Sequence, residues 1–370
     1  MTRRERQILQ WIEENPLISQ QELANRAGIT RSSMAVHISN LMKKGYISGR
    51  GYILRNTSYV VVIGGVNMDI GGISHAPLVA GDSNPGRVRT SPGGVGRNIA
   101  HNLSLLGADT RLITVFGDDD NARRISASCA ELGIDISRCL TIPGASTSSY
   151  LFISGPDGDM ALGLSDMEIY QHLTPQFLAS LTFFLNSAQL LVVDTNIPQD
   201  SLQWLADNCT APLYADPVST AKAEKLLPVL GRLHTLKPNR LEAELLSGVA
   251  ITDEVSLNMA ADVLLRTGLR RVFISLGGDG VLAADHQQRT HIPCGPTDMV
   301  NTTGCGDAFM AAICRAALDD LDLGQTARAG LAAAAIAMES AETINSSLSP
   351  ATLEARLQQI PEAVLQPLDV

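Results

Sequence analysis

The stretch NTTGCGDAF, residues 301–309, continues into MAAICRAAL. Gly304 and Gly306 remove side chains where helical periodicity begins. Backbone N–H groups can converge on an anion there, and the helix dipole adds favourable potential at the same point. Asp307 falls in the first turn, close to whatever those amides hold. An anion cradle beside an acceptor carboxylate is what phosphoryl transfer to a hydroxyl requires. The carboxylate takes the hydroxyl proton while the amides stabilise charge on the transferring group. The plainer alternative is a glycine-rich helix start that Asp307 merely caps.

Competing phosphate motifs are missing. No GxxxxGKS or GxxxxGKT run occurs, so there is no Walker-type P-loop. GGVGRNI places Ile99 where a dinucleotide fingerprint needs glycine, and hydride chemistry loses its main support.

The 370 residues allow two domains, or one large domain with an appendage. A net charge of -10 argues against the whole chain being a nucleic-acid coat or membrane-surface protein. Residues 1–56 nevertheless hold nine Lys and Arg against four Asp and Glu, which marks a small basic module at the front. The six cysteines are scattered, without metal spacing, and read as reduced thiols. The charged N-terminus has no apolar signal core and no apolar run is long enough for a bilayer, so a cytoplasmic protein with no membrane partner is expected.

Within the front module, residues 3–14 have helical spacing. SQQE from Ser19 forms a capping box, and RSSMAVHISNLMKKGYI gives a third helix with Met34, Ile38 and Leu41 inward. GYISGRGYIL suits a small hairpin. This is the order of a winged helix-turn-helix over residues 1–56. Arg31, Ser32, Ser33 and His37 would face a major groove, and Arg50 in the wing would lie near phosphates. The alternative is a tri-helical packing or dimerisation module.

From residue 57 to 370 the texture changes. YVVVIGG, TRLITVFGD, LLVVDTN, PLYAD, LHTLKPN and RVFISLGG read as strands, with helices near 97–107, 121–133, 199–208, 240–247, 256–267 and 307–318 between them. The alternation predicts an α/β, doubly wound, mostly parallel sheet with helices on both faces. Segments 71–90 and 145–166 break the rhythm and read as exposed strands of a small β lid.

Three further stretches fit a phosphoryl-transfer site. GGVNMD leaves Asp69 at a strand end, able to accept from vicinal hydroxyls. SPGGVGRN lets backbone approach a ligand closely, while Asn98 offers a donor and an acceptor. KPNRLE puts Asn239 and Glu242 on one helix face, as a Mg²⁺–water or phosphate anchor needs. Taken singly, each has a dull reading as turn glycines or a surface Glu in a helix cap.

Residues 59–357 resemble the ribokinase family of carbohydrate kinases, also called the phosphofructokinase-B family. SPGGVGRNIAHNLSLLGADTRLITVFGDD looks like its N-terminal signature and NTTGCGDAFMAAI like its C-terminal one. Within the family, STSSYL, LSDMEI, DTNIP, YADPVS and TLKPNRLE look most like the pseudouridine kinases. The resemblance implies ATP and Mg²⁺ as cofactors, Asp307 as catalytic base and Gly304, Cys305 and Gly306 as anion hole. It implies Asp69, Gly93, Gly94 and Asn98 at the ribose hydroxyls, and Asn239 with Glu242 organising Mg²⁺ and phosphates. Ser275, Gly277 and Gly280 fall to the nucleotide, and Thr147, Ser149 and Asp166 to selectivity in the lid. Lid strands in this family often pair between subunits, so a homodimer is expected.

Departures from the family pattern also matter. Asn301 stands where many members have an aspartate that helps bind a monovalent cation, which puts K⁺ activation in doubt. Val95 replaces the lysine of ribokinase and favours a substrate with a less polar substituent than free ribose. Cys305 replaces the commoner alanine and reads as a tolerated small residue, with oxidation of a thiol beside the phosphate as the alternative. The leading expectation is a kinase for the 5′-hydroxyl of a ribonucleoside, most of all pseudouridine. A kinase for inosine, uridine or a free sugar, and a ligand-responsive transcription factor using a kinase fold as sensor, remain the alternatives.

Overall fold

Strand Tyr59–Ile63 is buried at every position, and its side chains part by parity. Tyr59, Val61 and Ile63 enter one apolar cluster while Val60 and Val62 enter another. A strand buried on both faces belongs in the middle of a helix-covered parallel sheet. The computed structural model describes residues 2–15, 18–47 and 59–367. It divides the chain into two units, residues 1–58 and 59–370.

Among the described residues of the second unit, the main sheet has nine strands. Asp109–Ile113, Tyr59–Ile63, Leu190–Asp194, Leu213–Asp216, Thr235–Leu236 and Arg271–Ser275 run parallel in that spatial order. Val281–Asp285, Gln288–Ile292 and Gln366–Pro367 continue the sheet antiparallel. Helices Val95–Leu105, Asp120–Glu131, Gln199–Asn208, Arg240–Ser247, Glu254–Arg266 and Cys305–Leu318 lie within two residues of their expected places. The AGLAAAAIAM run forms the mostly buried C-terminal part of helix Leu323–Met338. Among the described residues no helix is long and apolar enough to cross a membrane.

A second sheet holds Gly86–Gly93, Asn67–Ser74, Ser149–Ser154 and Met160–Asp166, in that order. Its pairing register sorts the side chains. Asp69, Tyr150 and Ser165 form one cross-strand row with Ser91, and Gly71 and Phe152 follow on the same face. Val88, Leu162 and Leu164 stand on the other face, all strongly exposed. The expectation that Asp69 ends a strand is corrected. The chain turns at residues 64–66, and Asp69 is the third residue of the new strand Asn67–Ser74.

In the first unit, Thr2 and Glu5 form a capping box on Arg3–Glu14, and Ser19 with Glu22 forms another on Gln20–Ala27. Each cap is worth about 1 kcal/mol. Gly28, at φ 63°, supplies the left-handed turn before Arg31–Lys43. Ile8, Ile12, Leu23, Met34, Ile38 and Leu41 close the core. Both oxygens of buried Glu5 accept from Lys44, which holds the Glu5 carboxyl at about 2. Arg50 and the expected hairpin beyond residue 47 lie outside the described residues.

Candidate active site

The carboxyl ends of parallel strands gather at one edge of a sheet. Here Asp194, Asp216 and Ser275 are the last residues of their strands, and Lys237 follows Thr235–Leu236 directly. Helix Cys305–Leu318 is capped by Gly304 at φ 84°. A Cβ at Gly304 would lie 2.1 Å from the Thr343 carbonyl oxygen, so glycine is required there. Gly306 sits beside Lys237, whose Nζ would be 3.3 Å from a Cβ at that position. Asp307 is 8% exposed, and its Oδ2 accepts from the Asn98 amide at 2.9 Å.

Burial pushes the Asp307 carboxyl up to about 8, helped by Asp216 and opposed by Asn98 and Lys237. Burial disfavours the Lys237 ammonium, but Asp216, Glu242 and Asp307 outweigh it and hold the group above the ordinary lysine value. Lys237 pairs with Asp216 at 3.2 Å. Burial also raises Glu242, against the pull of the Asn239 amide and Lys237.

Asp194 ties the glycine loops together. Its Oδ2 accepts from the amides of Gly65 and Gly96, both at 2.8 Å, and its Oδ1 from Asn196 N. Asp69 packs against Gly93 so closely that a Cβ there would lie 2.1 Å from Oδ2. Gly94, at φ 97°, leads into helix Val95–Leu105. Burial raises the Asp69 carboxyl, against Asn67 and Arg97. Beside this loop, Lys222 Nζ donates to Asn196 Oδ1 at 2.6 Å.

The three lid positions are placed differently from expectation. Thr147 is buried, and its hydroxyl donates to Asp119 and accepts from Gly117, so it anchors the base of the lid. Ser149 and Asp166 pair with each other in the row of Met68. With a side-chain period of two, that row faces away from Asp69. Tyr150 and Phe152, which the sequence reading passed over, stand on Asp69's face with ring centroids 5.8 Å apart.

A cavity of about 490 Å³ opens along the helix N-terminus. Lys237, Asn239, Ser275, Gly277, Gly280, Cys305 and Gly306 line it towards Asp307, and Leu331, Ala335 and Met338 give it an apolar wall. Asn239 and Glu242 form a reciprocal capping box on Arg240–Ser247. The glutamate is buried and close enough to Lys237 to act on its charge, unlike a surface cap. Cys305 is half-buried with its thiol raised to about 11 by burial and Asp307, which suits the reading as a small tolerated residue and weakens the oxidation alternative.

Among the described residues no group of three His, Cys, Asp or Glu side chains is arranged to hold a metal alone. The donor chemistry nonetheless suits Mg²⁺. Asp216, Glu242 and Asp307 set three buried carboxylates around one ammonium, and Mg²⁺ is usually held by one or two carboxylates plus substrate phosphates and water.

Sequence reading missed Lys237, Asp194, Asp216, Asn196 and Lys222. The available signal was position: Asp194, Asp216, Asn196 and Lys237 end or follow runs legible as central parallel strands, and Lys222 lies on the short helix Thr220–Ala223 beyond one.

This fold and site define a sugar- or nucleoside-directed kinase with a cavity beside a buried acid. Residues 57–350 match the pfkB family of carbohydrate kinases, and the chain belongs to that family. Residues 1–48 match a winged helix-turn-helix DNA-binding family. The uncharacterized sugar kinase YeiI of Escherichia coli (strain K12) is 38% identical over 94% of this chain and 97% of its own length. That coverage leaves out fewer residues than the first unit contains, so YeiI shares part of that unit too. The pseudouridine kinase of the same organism is 38% identical over 81% of this chain and 96% of its own. A carbohydrate kinase from Agrobacterium tumefaciens superposes with a TM-score of 0.74 at 29% identity, covering 84% of this chain and all of that one. Kinases of this family use ATP.

Proposed function

We propose that the protein transfers the terminal phosphoryl group of ATP to the 5′-hydroxyl of a ribonucleoside, with pseudouridine the preferred substrate. The observation that carries this reading is the buried Asp307 at the helix N-terminus, with one oxygen held by Asn98 and the nucleotide cavity alongside. Its raised pKa suits a general base working near neutral pH. Asp307 Oδ1, which Asn98 leaves free, takes the proton of the acceptor hydroxyl. The amides at Gly304, Cys305 and Gly306 receive the charge that develops on the transferring group. Asp69, Gly93, Gly94 and Asn98 hold the ribose hydroxyls. Asn239, Ser275, Gly277 and Gly280 hold the nucleotide. When bound, Mg²⁺ neutralises phosphate charge, with Glu242 and Asp216 the carboxylates that would hold its water shell.

Two features favour a nucleoside over a free sugar. The Tyr150–Phe152 pair offers apolar ring surface on Asp69's face. The Asn196–Lys222 pair offers polar groups beside the glycine loop, as a base edge requires. The similarity to a pseudouridine kinase supports pseudouridine as the preferred base. ATP consumption against pseudouridine, uridine, inosine, cytidine, adenosine, ribose and fructose tests this. Turnover confined to ribose or fructose would refute the nucleoside reading.

The first unit favours a second, regulatory role in binding DNA. Arg31, Ser32 and Ser33 are exposed at the start of the third helix, with His37 half-exposed one turn on. Salt-dependent affinity for duplex DNA that shifts with nucleoside or ATP is the expected result; no such affinity in the full chain would exclude it. The exposed apolar lid face of Val88, Leu162 and Leu164 supports a homodimer built through the lid, which sedimentation of a Leu164→Lys variant would test.

A further inference from the structure

Lys237 is buried, its side chain 7% exposed, and burying an ammonium is costly unless it is paired. Asp216, at 3.2 Å, provides the pair. Yet Lys237 also lines the nucleotide cavity and lies against Gly306 in the first turn of helix Cys305–Leu318. A helix N-terminus is a positive pole, so a cation set against it is poorly placed unless an anion is to be shared between them.

Gly306 points the same way. It is not among the glycines with positive φ, so its backbone would accept any residue. The neighbour a side chain would meet is Lys237 Nζ. Glycine there keeps the space between the helix amides and the ammonium open.

We propose that Lys237 is a catalytic residue whose ammonium passes from Asp216 to an oxygen of the transferring phosphoryl group. This rests on the kinase reading above. The bond from phosphorus to the ADP oxygen breaks and the bond to the acceptor oxygen forms. The acceptor proton goes to Asp307, ADP leaves with the electron pair, and Lys237 stays protonated throughout. The competing role is neutralisation of Asp216 alone.

A double-mutant cycle separates the two roles: wild type, K237M, D216N and D216N/K237M, each measured for kcat and for binding of ATP and adenosine. The double variant removes Lys237 and Asp216 together, so neither is left buried without the other, and it guards against misfolding of K237M alone. The expected result is a fall in kcat of about 100-fold or more for K237M, and the same factor between D216N and the double variant. Adenosine binding should be unchanged while the preference for ATP over adenosine shrinks. Turnover of the double variant equal to that of D216N, or K237M within about threefold of wild type, overturns the proposal. If the wild type phosphorylates no acceptor, the kinase reading fails, while loss of ATP preference in K237M still reports the phosphate contact.

Discussion

Asn98 and Asp307, 209 residues apart in the chain, are joined by a hydrogen bond of 2.9 Å from the Asn98 amide to Oδ2 of the buried carboxylate. The bond ties the starts of helices Val95–Leu105 and Cys305–Leu318 together. It also leaves one carboxylate oxygen for chemistry and opposes the burial that would keep the acid protonated.

Replacing Asp307 with Asn keeps the shape and an acceptor for Asn98 but removes the base. Turnover should fall by about 10²–10⁴-fold, with KM for ATP and acceptor little changed. Asn98→Ala should raise the Asp307 pKa further and move the acid limb of the pH–rate profile upward. Steady-state kinetics decide both; a D307N enzyme with near-normal kcat would remove Asp307 from the role.

The Asp307 carboxyl also makes stability depend on pH. Its folded pKa of about 8 lies above its ordinary value of 3.8, so between those values the folded chain holds a proton that the unfolded chain has lost. Stability from this group is therefore full at the acid end of the window and is lost as pH rises through about 8. D307N should melt higher than wild type at pH 9, with the gap closing towards pH 4, as calorimetry at both ends would show. In the free enzyme, kcat/KM should rise with pH up to the same value.

Gly93→Ala tests the proposed hydroxyl-binding side apart from the proposed nucleotide side. The new methyl would lie 2.1 Å from Asp69 Oδ2 and force that carboxylate away. The backbone at Gly93 is not left-handed, so the effect falls on Asp69 and not on the strand. KM for the acceptor should rise about tenfold or more, while KM for ATP stays put. Equal rises in both would show general damage instead.

Potassium should be dispensable. The Asn301 side chain donates to the Ala341 carbonyl at 3.3 Å and accepts from Thr303 N at 3.0 Å, so an amide proton occupies a carbonyl that a cation would otherwise attract. Exchanging K⁺ for a bulky organic cation should change turnover by less than about twofold, whereas N301D should create a dependence on K⁺. Strong K⁺ activation of the wild type would contradict this.

Much of the architecture was legible along the chain because its signals are local. The apolar run YVVVI, the S-x-x-E box at Ser19 and the glycines before Asp307 act within a few residues of themselves, and strands and helices formed where those patterns lay. The lid was legible as exposed strands. Its facing was not, because a register shift of one residue separates Ser149 from Tyr150 and reverses the side presented.

The charge arrangement at the site belongs to the tertiary structure alone. Strands Leu190–Asp194, Leu213–Asp216 and Thr235–Leu236 had to lie side by side before Asp194, Asp216 and Lys237 could share one edge. Helix Cys305–Leu318 had to pack over them before burial and neighbouring charge could lift Asp307 to about 8. Residue type announces a carboxylate or an amine, but desolvation and Coulomb energy depend on distances through space that no local pattern records.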